Sequence, residues 1–156
     1  MKQFTLSLNK NFQRPVVYLE KFFNLYAMLD TGSLFPVWIE EERILQKIGG
    51  IQVADNISFG GFGGSAIGNL FKIPLFKIGD LLFPNMHIIA AKLNMPFQMI
   101  LSATMFRNLI YEIDTYNHKL NVTIPDTQSN VRNLVIYDKD GIMHVACSDG
   151  KLANCT

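Results

Sequence analysis

The stretch Leu25-Tyr26-Ala27-Met28-Leu29-Asp30-Thr31-Gly32-Ser33 constrains this chain more than any other. An apolar run delivers one carboxylate at its end, and a hydroxyl and a glycine come directly after it. That order predicts a strand that stops in a tight loop and presents Asp30 at a cleft. Gly32 opens backbone conformations closed to other residues, and the Thr31 hydroxyl can lock the loop by hydrogen bonding. Asp, Thr, Gly and Ser are equally common in ordinary Asx-type turns. The rest of the chain has to decide between a site and a plain turn.

A length of 156 residues fits one domain or one subunit of a small assembly. Hydrophobic residues make up 49% and charged ones 17%, ample material for a core and for an apolar interface. The formal net charge is +1 with no basic block, which argues against nucleic acid as a partner. Nothing approaches the ~18 consecutive apolar residues of a membrane span. The N-terminus, Met1 to Asn9, alternates polar and apolar residues and lacks the apolar core of a signal peptide. The expectation is a soluble cytoplasmic protein with no membrane partner. Cys147 and Cys155 lack CxxC spacing and read as free thiols of a reducing compartment.

Taken in order, residues 4 to 8 and 15 to 29 read as strands, with Lys21 to Asn24 as a hairpin connection. Phe35 to Trp38 continues the buried character. Ile39 to Ile48 predicts a short helix, acidic in its first turn and with Lys47 in its last, which suits the helix dipole; Gly49-Gly50 supplies the stop. Ile51 to Phe59 reads as extended. Gly60-Gly61-Phe62-Gly63-Gly64 then fits a mobile hairpin tip or an ordinary glycine-rich turn between strands. No helix pattern and no Lys-Ser/Thr pair come after it, so a phosphate-cradling loop is a poor reading.

Leu70 to Ile78 and Leu81 to Ala91 read as strands around a Gly79-Asp80 turn, and Phe97 to Ser102 as a strand buried on both faces. Ala103 to Leu109 predicts a helical turn or two. Ile110 to Asp114 and Lys119 to Ile124 form a hairpin candidate, the second strand alternating with the period of a half-buried strand. Pro125 to Asn130 reads as a connector. Val131 to Tyr137 and Ile142 to Cys147 make a last hairpin around Asp138 to Gly141. The chain shows no internal repeat and no domain boundary, so residues 1–156 read as one domain with its core in 15–124 and a C-terminal hairpin extension in 125–156.

Other constellations fail on their chemistry. Leu134 to Gly141 mimics the apolar run plus DxD of haloacid-dehalogenase-type phosphatases, but only the short tail to Thr156 remains where a long α/β domain is required. A calcium loop there would need oxygen ligands where Ile136 and Cys147 stand. His87, His118 and His144 are scattered without ligand spacing, so no metal is expected. Ser33 has no glycine elbow, and the Asn121-Val122-Thr123 sequon falls in a strand.

Three segments remain, in one order: the apolar strand ending in Asp30-Thr31-Gly32-Ser33, the glycine-rich hairpin Gly60 to Gly64, and Met99-Ile100-Leu101-Ser102 before a short helix. This order resembles the retropepsin-like aspartic proteases, single-lobe relatives of pepsin, over roughly residues 15 to 124. The resemblance implies an all-β fold: a closed acid-protease barrel with one or two short helices and a flap hairpin over a cleft. It makes Asp30 the catalytic carboxylate, with Thr31, Gly32 and Ser33 supporting its loop. It makes Gly60, Gly61, Phe62, Gly63 and Gly64 the flap, and Ile100, Leu101 and Ser102 the strand beside the catalytic loop. Ser102 departs from the family, which usually has glycine there.

The chemistry that the resemblance implies is peptide hydrolysis by two carboxylates facing one water. The chain has a single Asp-Thr-Gly, and Asp114, in Ile-Asp-Thr-Tyr, reads as the start of a hairpin turn. A protease of this kind is therefore a homodimer contributing Asp30 twice across a twofold axis. The two groups share one proton, a property of aspartic proteases in general. One acts as general base on the water while the other donates to the scissile carbonyl oxygen. Thr31 ties the two loops together across the axis. The substrate lies extended, as an added strand, and no cofactor is needed. The alternatives are a non-catalytic module of the same fold that binds peptides or mediates dimerisation, and an unrelated small β-barrel in which Asp30 is a turn residue.

Overall fold

Alternation decides the centre of the fold. In β3 (Leu25–Asp30), Leu25, Ala27 and Leu29 join one buried cluster, Met28 joins a second, and Tyr26 packs against that second one. Successive side chains of a strand point to opposite faces, so a run that is apolar throughout belongs in a strand covered on both sides. The computed structural model describes residues 2–19, 24–61, 64–107, 109–125, 136–139, 142–146 and 152–154. Around β3 lie β1 (Lys2–Ser7), β2 (Val16–Leu19), β4 (Val37–Trp38), α1 (Glu42–Lys47), β5 (Ile51–Gly61), β6 (Gly64–Ile78), β7 (Leu81–Ala90) and β8 (Met99–Ser102). A 3₁₀ turn (Ala103–Phe106) leads to β9 (Ile110–Asp114), β10 (Lys119–Ile124), β11 (Ile136–Lys139), β12 (Ile142–Ala146) and β13 (Leu152–Asn154).

Seven strands form one mixed sheet in the order β2-β3-β8-β4-β7-β6-β5. Within it β3 runs parallel to β8 and β4 parallel to β7, while the other neighbours are antiparallel. A second sheet, β1-β10-β9, joins the first at the bridge between Leu8 and Val17, and its Leu120 and Val122 share the larger buried cluster with the main sheet. The fold is all-β as expected. Its main ladder is open, with β2 and β5 at its two ends and no rung between them among the described residues. Strands β11, β12 and β13 form a third, antiparallel sheet. Trp38, Phe71, Phe76, Phe106, Leu45 and Leu101 are fully buried in the larger cluster. No helix among the described residues is long and apolar enough to cross a membrane.

Several boundaries differ from the sequence expectation, each for a physical reason. Helix α1 begins at Glu42, not Ile39: Ile39 continues the extended path of β4, its N–H donating to the Gln98 carbonyl at 2.9 Å, and the backbone is still extended at Glu41 (ψ 131°). Its end matches the expectation: Gly49 adopts φ +85°, and the Gly49 and Gly50 amides return to Gln46 and Leu45. A Cβ at Gly50 would stand 2.6 Å from the Leu45 carbonyl oxygen. Strand β6 starts at Gly64 rather than Leu70, since its small residues pair with β5 through backbone alone. Asn56, at φ +51°, accommodates the irregular pairing of β5; asparagine tolerates this left-handed region better than most residues. The expected turn from Asp138 is shorter, because Lys139 still pairs with Ile142. Residues 126–135, Cys147 and Cys155 lie outside the described residues.

Candidate active site at the end of β3

The register of the parallel pair sets the geometry: Ala27 faces Met99, Met28 faces Ile100, Leu29 faces Leu101 and Asp30 faces Ser102. Beyond Asp30 the chain crosses the end of β8 in residues 31–36 and returns on the far side as β4, antiparallel to β8. The loop thus arches over a strand that both of its legs flank. Asp30 is half-buried, and its Oδ1 accepts the Gly32 N–H at 2.9 Å. The Ser33 N–H reaches the Asp30 carbonyl at 3.3 Å, and Ser33 Oγ donates to the Phe35 carbonyl at 2.7 Å. Thr31, Gly32 and Ser33 are all half-buried.

Of the expected packing residues, Leu101 is fully buried in the larger cluster and Ile100 nearly so in the smaller. Ser102 is fully buried, and it is the one buried polar side chain among the described residues. Its Oγ lies 2.7 Å from Thr104 Oγ1, which donates in turn to the Leu34 carbonyl at 2.6 Å. The departure from glycine at position 102 therefore arrives with a partner for its hydroxyl. By strand alternation, Asp30 continues the face of Tyr26 and Met28, and Ser102 that of Ile100. Both sit on the side of the smaller cluster.

The glycine hairpin stands elsewhere along the ladder, with β8, β4 and β7 between β3 and β6. Gly61 pairs with Gly64 at its end, and a Cβ built at Gly60 or Gly64 would meet open space. Phe62 and Gly63 lie outside the described residues. The stem of the hairpin nonetheless serves the same face as Asp30: Ile57 and Phe59 pack against the cluster that holds Met28 and Ile100. A depression of about 630 Å³ opens beside the loop, with Leu34, Phe35 and Thr104 on one wall and Leu82, Pro84 and Met86 on the other. Asp30 does not line it. Among the described residues no three His, Cys, Asp or Glu side chains converge as a metal site would require.

Three contributors carry no sequence signal. Thr104 and Leu34 belong to no motif, and Gln98 looks like one polar residue in an apolar run. Yet Gln98 extends the β3–β8 pairing: its Oε1 accepts the Tyr26 N–H at 2.7 Å, and its own N–H donates to the Tyr26 carbonyl at 2.9 Å.

No protein-family model matches this chain, and no curated protein matches it. Among solved structures it is similar to a retropepsin-like aspartic protease from Rickettsia conorii. The TM-score is 0.49 at 14% sequence identity, over 78% of this chain and 89% of that one.

Proposed function

We propose that this chain is an aspartic endopeptidase that works as a homodimer, with Asp30 contributed once by each copy. The observation that carries the reading is the Asp30 loop itself. A half-buried carboxylate closes an Asx turn at the end of a buried parallel strand pair, on the face that the stem of a glycine-tipped hairpin helps to cover. With Oδ1 held by the Gly32 amide, Oδ2 is the oxygen that can meet a water.

In the dimer, the ionised Asp30 takes a proton from that water, whose oxygen attacks the scissile carbonyl carbon. The protonated Asp30 of the other copy gives its proton to the carbonyl oxygen. As the resulting gem-diol collapses, one of its hydroxyl protons passes to the ionised Asp30 and the C–N bond breaks. The leaving nitrogen takes the proton held by the other Asp30, so the dyad ends with the one proton it began with. Thr31 ties the two loops across the axis, and residues 60–64 close over an extended peptide whose side chains alternate into pockets.

Asp30→Asn tests the reading, because the amide keeps the Oδ1 acceptor for Gly32 while removing the acid and base. The variant is expected to be folded and dimeric by sedimentation and to cleave nothing in a peptide library at mildly acidic pH. Cleavage by the variant at the wild-type rate refutes the assignment. A wild-type chain that is monomeric and inactive, but retains peptides, supports the non-catalytic binding module instead.

A further inference from the structure

Thr104 has one hydroxyl proton, and the Leu34 carbonyl at 2.6 Å takes it. The 2.7 Å contact with Ser102 must then run the other way, with Ser102 Oγ–H donating to Thr104 Oγ1. The result is a directed relay, Ser102 to Thr104 to Leu34, that starts in the fully buried residue opposite Asp30 and ends inside the loop that Asp30 opens. A buried hydroxyl costs stability unless it is bonded. Packing alone would be served by alanine or glycine at position 102, whereas a serine there sets the rotation of the Thr104 hydroxyl. That hydroxyl is the side-chain hydrogen bond joining the 3₁₀ turn to the crossing loop.

We infer that Ser102 and Thr104 are positioning residues. Their relay fixes the height of residues 31–36 above the end of β8, and with it the direction in which the Asp30 carboxylate points. The hold on the loop stands on geometry alone, while its effect on turnover rests on the endopeptidase reading. Because Ser102 acts through Thr104, removing both hydroxyls costs no more than removing the second.

The test uses the full chain with Thr104→Val, Thr104→Ser, Ser102→Ala and the Ser102→Ala/Thr104→Val double variant. Amide hydrogen exchange by NMR is read at Gly32 and Ser33, whose N–H groups close the turn on Asp30, and at Ile88 in β7 as a control. Thr104→Val is expected to speed exchange at Gly32 and Ser33 by about tenfold and leave Ile88 unchanged. Thr104→Ser, which keeps the hydroxyl, recovers most of that loss, Ser102→Ala falls between, and the double variant is no faster than Thr104→Val. Unchanged exchange at Gly32 and Ser33, equal acceleration at Ile88, or additive effects in the double variant overturn the relay.

In peptide cleavage, Thr104→Val is expected to lower kcat by about tenfold while KM moves less than about twofold. Wild-type kcat in that variant overturns the positioning role even if the loop loosens. If the wild-type chain cleaves no peptide, the endopeptidase reading falls, and the exchange measurement still decides the relay.

Discussion

Asp30 and Ser102 stand opposite one another on the last rung of the parallel β3–β8 ladder, one half-exposed and the other wholly buried. The difference arises from the path of the chain beyond each residue. After Asp30 it turns out into a loop closed by that residue's own carboxylate, and after Ser102 it enters a 3₁₀ turn packed on the core. A charged group is thereby placed at the rim of the sheet while its backbone is anchored in a dry interior.

The Asx turn predicts that Asp30→Ala and Asp30→Asn differ in stability. Alanine leaves the Gly32 N–H without its 2.9 Å acceptor, whereas asparagine keeps one. Urea denaturation monitored by circular dichroism is expected to show the alanine variant less stable by about 1 kcal/mol.

Two glycines of the same hairpin should respond oppositely to alanine. A Cβ at Gly68 would stand 2.5 Å from the Ala90 carbonyl oxygen and 2.7 Å from Ile89 Cγ2, so Gly68→Ala overpacks the β6–β7 contact. A cost of about 1–3 kcal/mol is expected in thermal or urea unfolding. A Cβ built at Gly60 would meet nothing within 4 Å among the described residues, and Gly60→Ala should change stability by less than about 0.5 kcal/mol.

Trp38 is fully buried in the larger cluster and donates its indole N–H to the Glu41 carbonyl at 3.2 Å. Trp38→Ala is expected to cost about 3–5 kcal/mol in denaturant unfolding. As the sole tryptophan of the chain, it should also emit at the blue end of the indole range and resist iodide quenching until the protein unfolds.

Acid sensitivity should include the Asp114 turn. The Asn117 N–H at 2.8 Å and the Asn117 side-chain amide at 2.7 Å bond its two oxygens and hold its carboxyl below the ordinary carboxylate value. A depressed value stabilises the fold above the unfolded group's value of about 4. That contribution fades as pH falls through the lower, folded value. Carboxyl-carbon NMR titration should place Asp114 below the ordinary aspartate value, and Asn117→Ala should move its midpoint back up.

Much of this architecture is legible in the residues. The unbroken apolar run of β3 and the all-apolar Met99-Ile100-Leu101 announce strands covered on both faces, and the Asp-Thr-Gly after the first marks the loop. Other parts are invisible because they depend on contacts distant in sequence. Ile39 stays extended beside Gln98, a residue far along the chain, and nothing in the residues near Ile39 marks that pairing. Gly64 to Asn69 lack the alternation of a strand, yet their backbone pairs with β5 or β7. The Thr104–Leu34 hydrogen bond joins residues 70 positions apart and belongs to no motif.

The crossing of residues 31–36 above β8 has a consequence for the order of assembly. The slot between β3 and β4 is vacant until the segment around residue 100 has left the ribosome, since β8 is the strand that fills it. Pairings of such long sequence separation form late and slowly. An unfinished polypeptide therefore carries Asp30 in a loop with no strand beneath it, and the candidate site takes shape only once β8 has arrived.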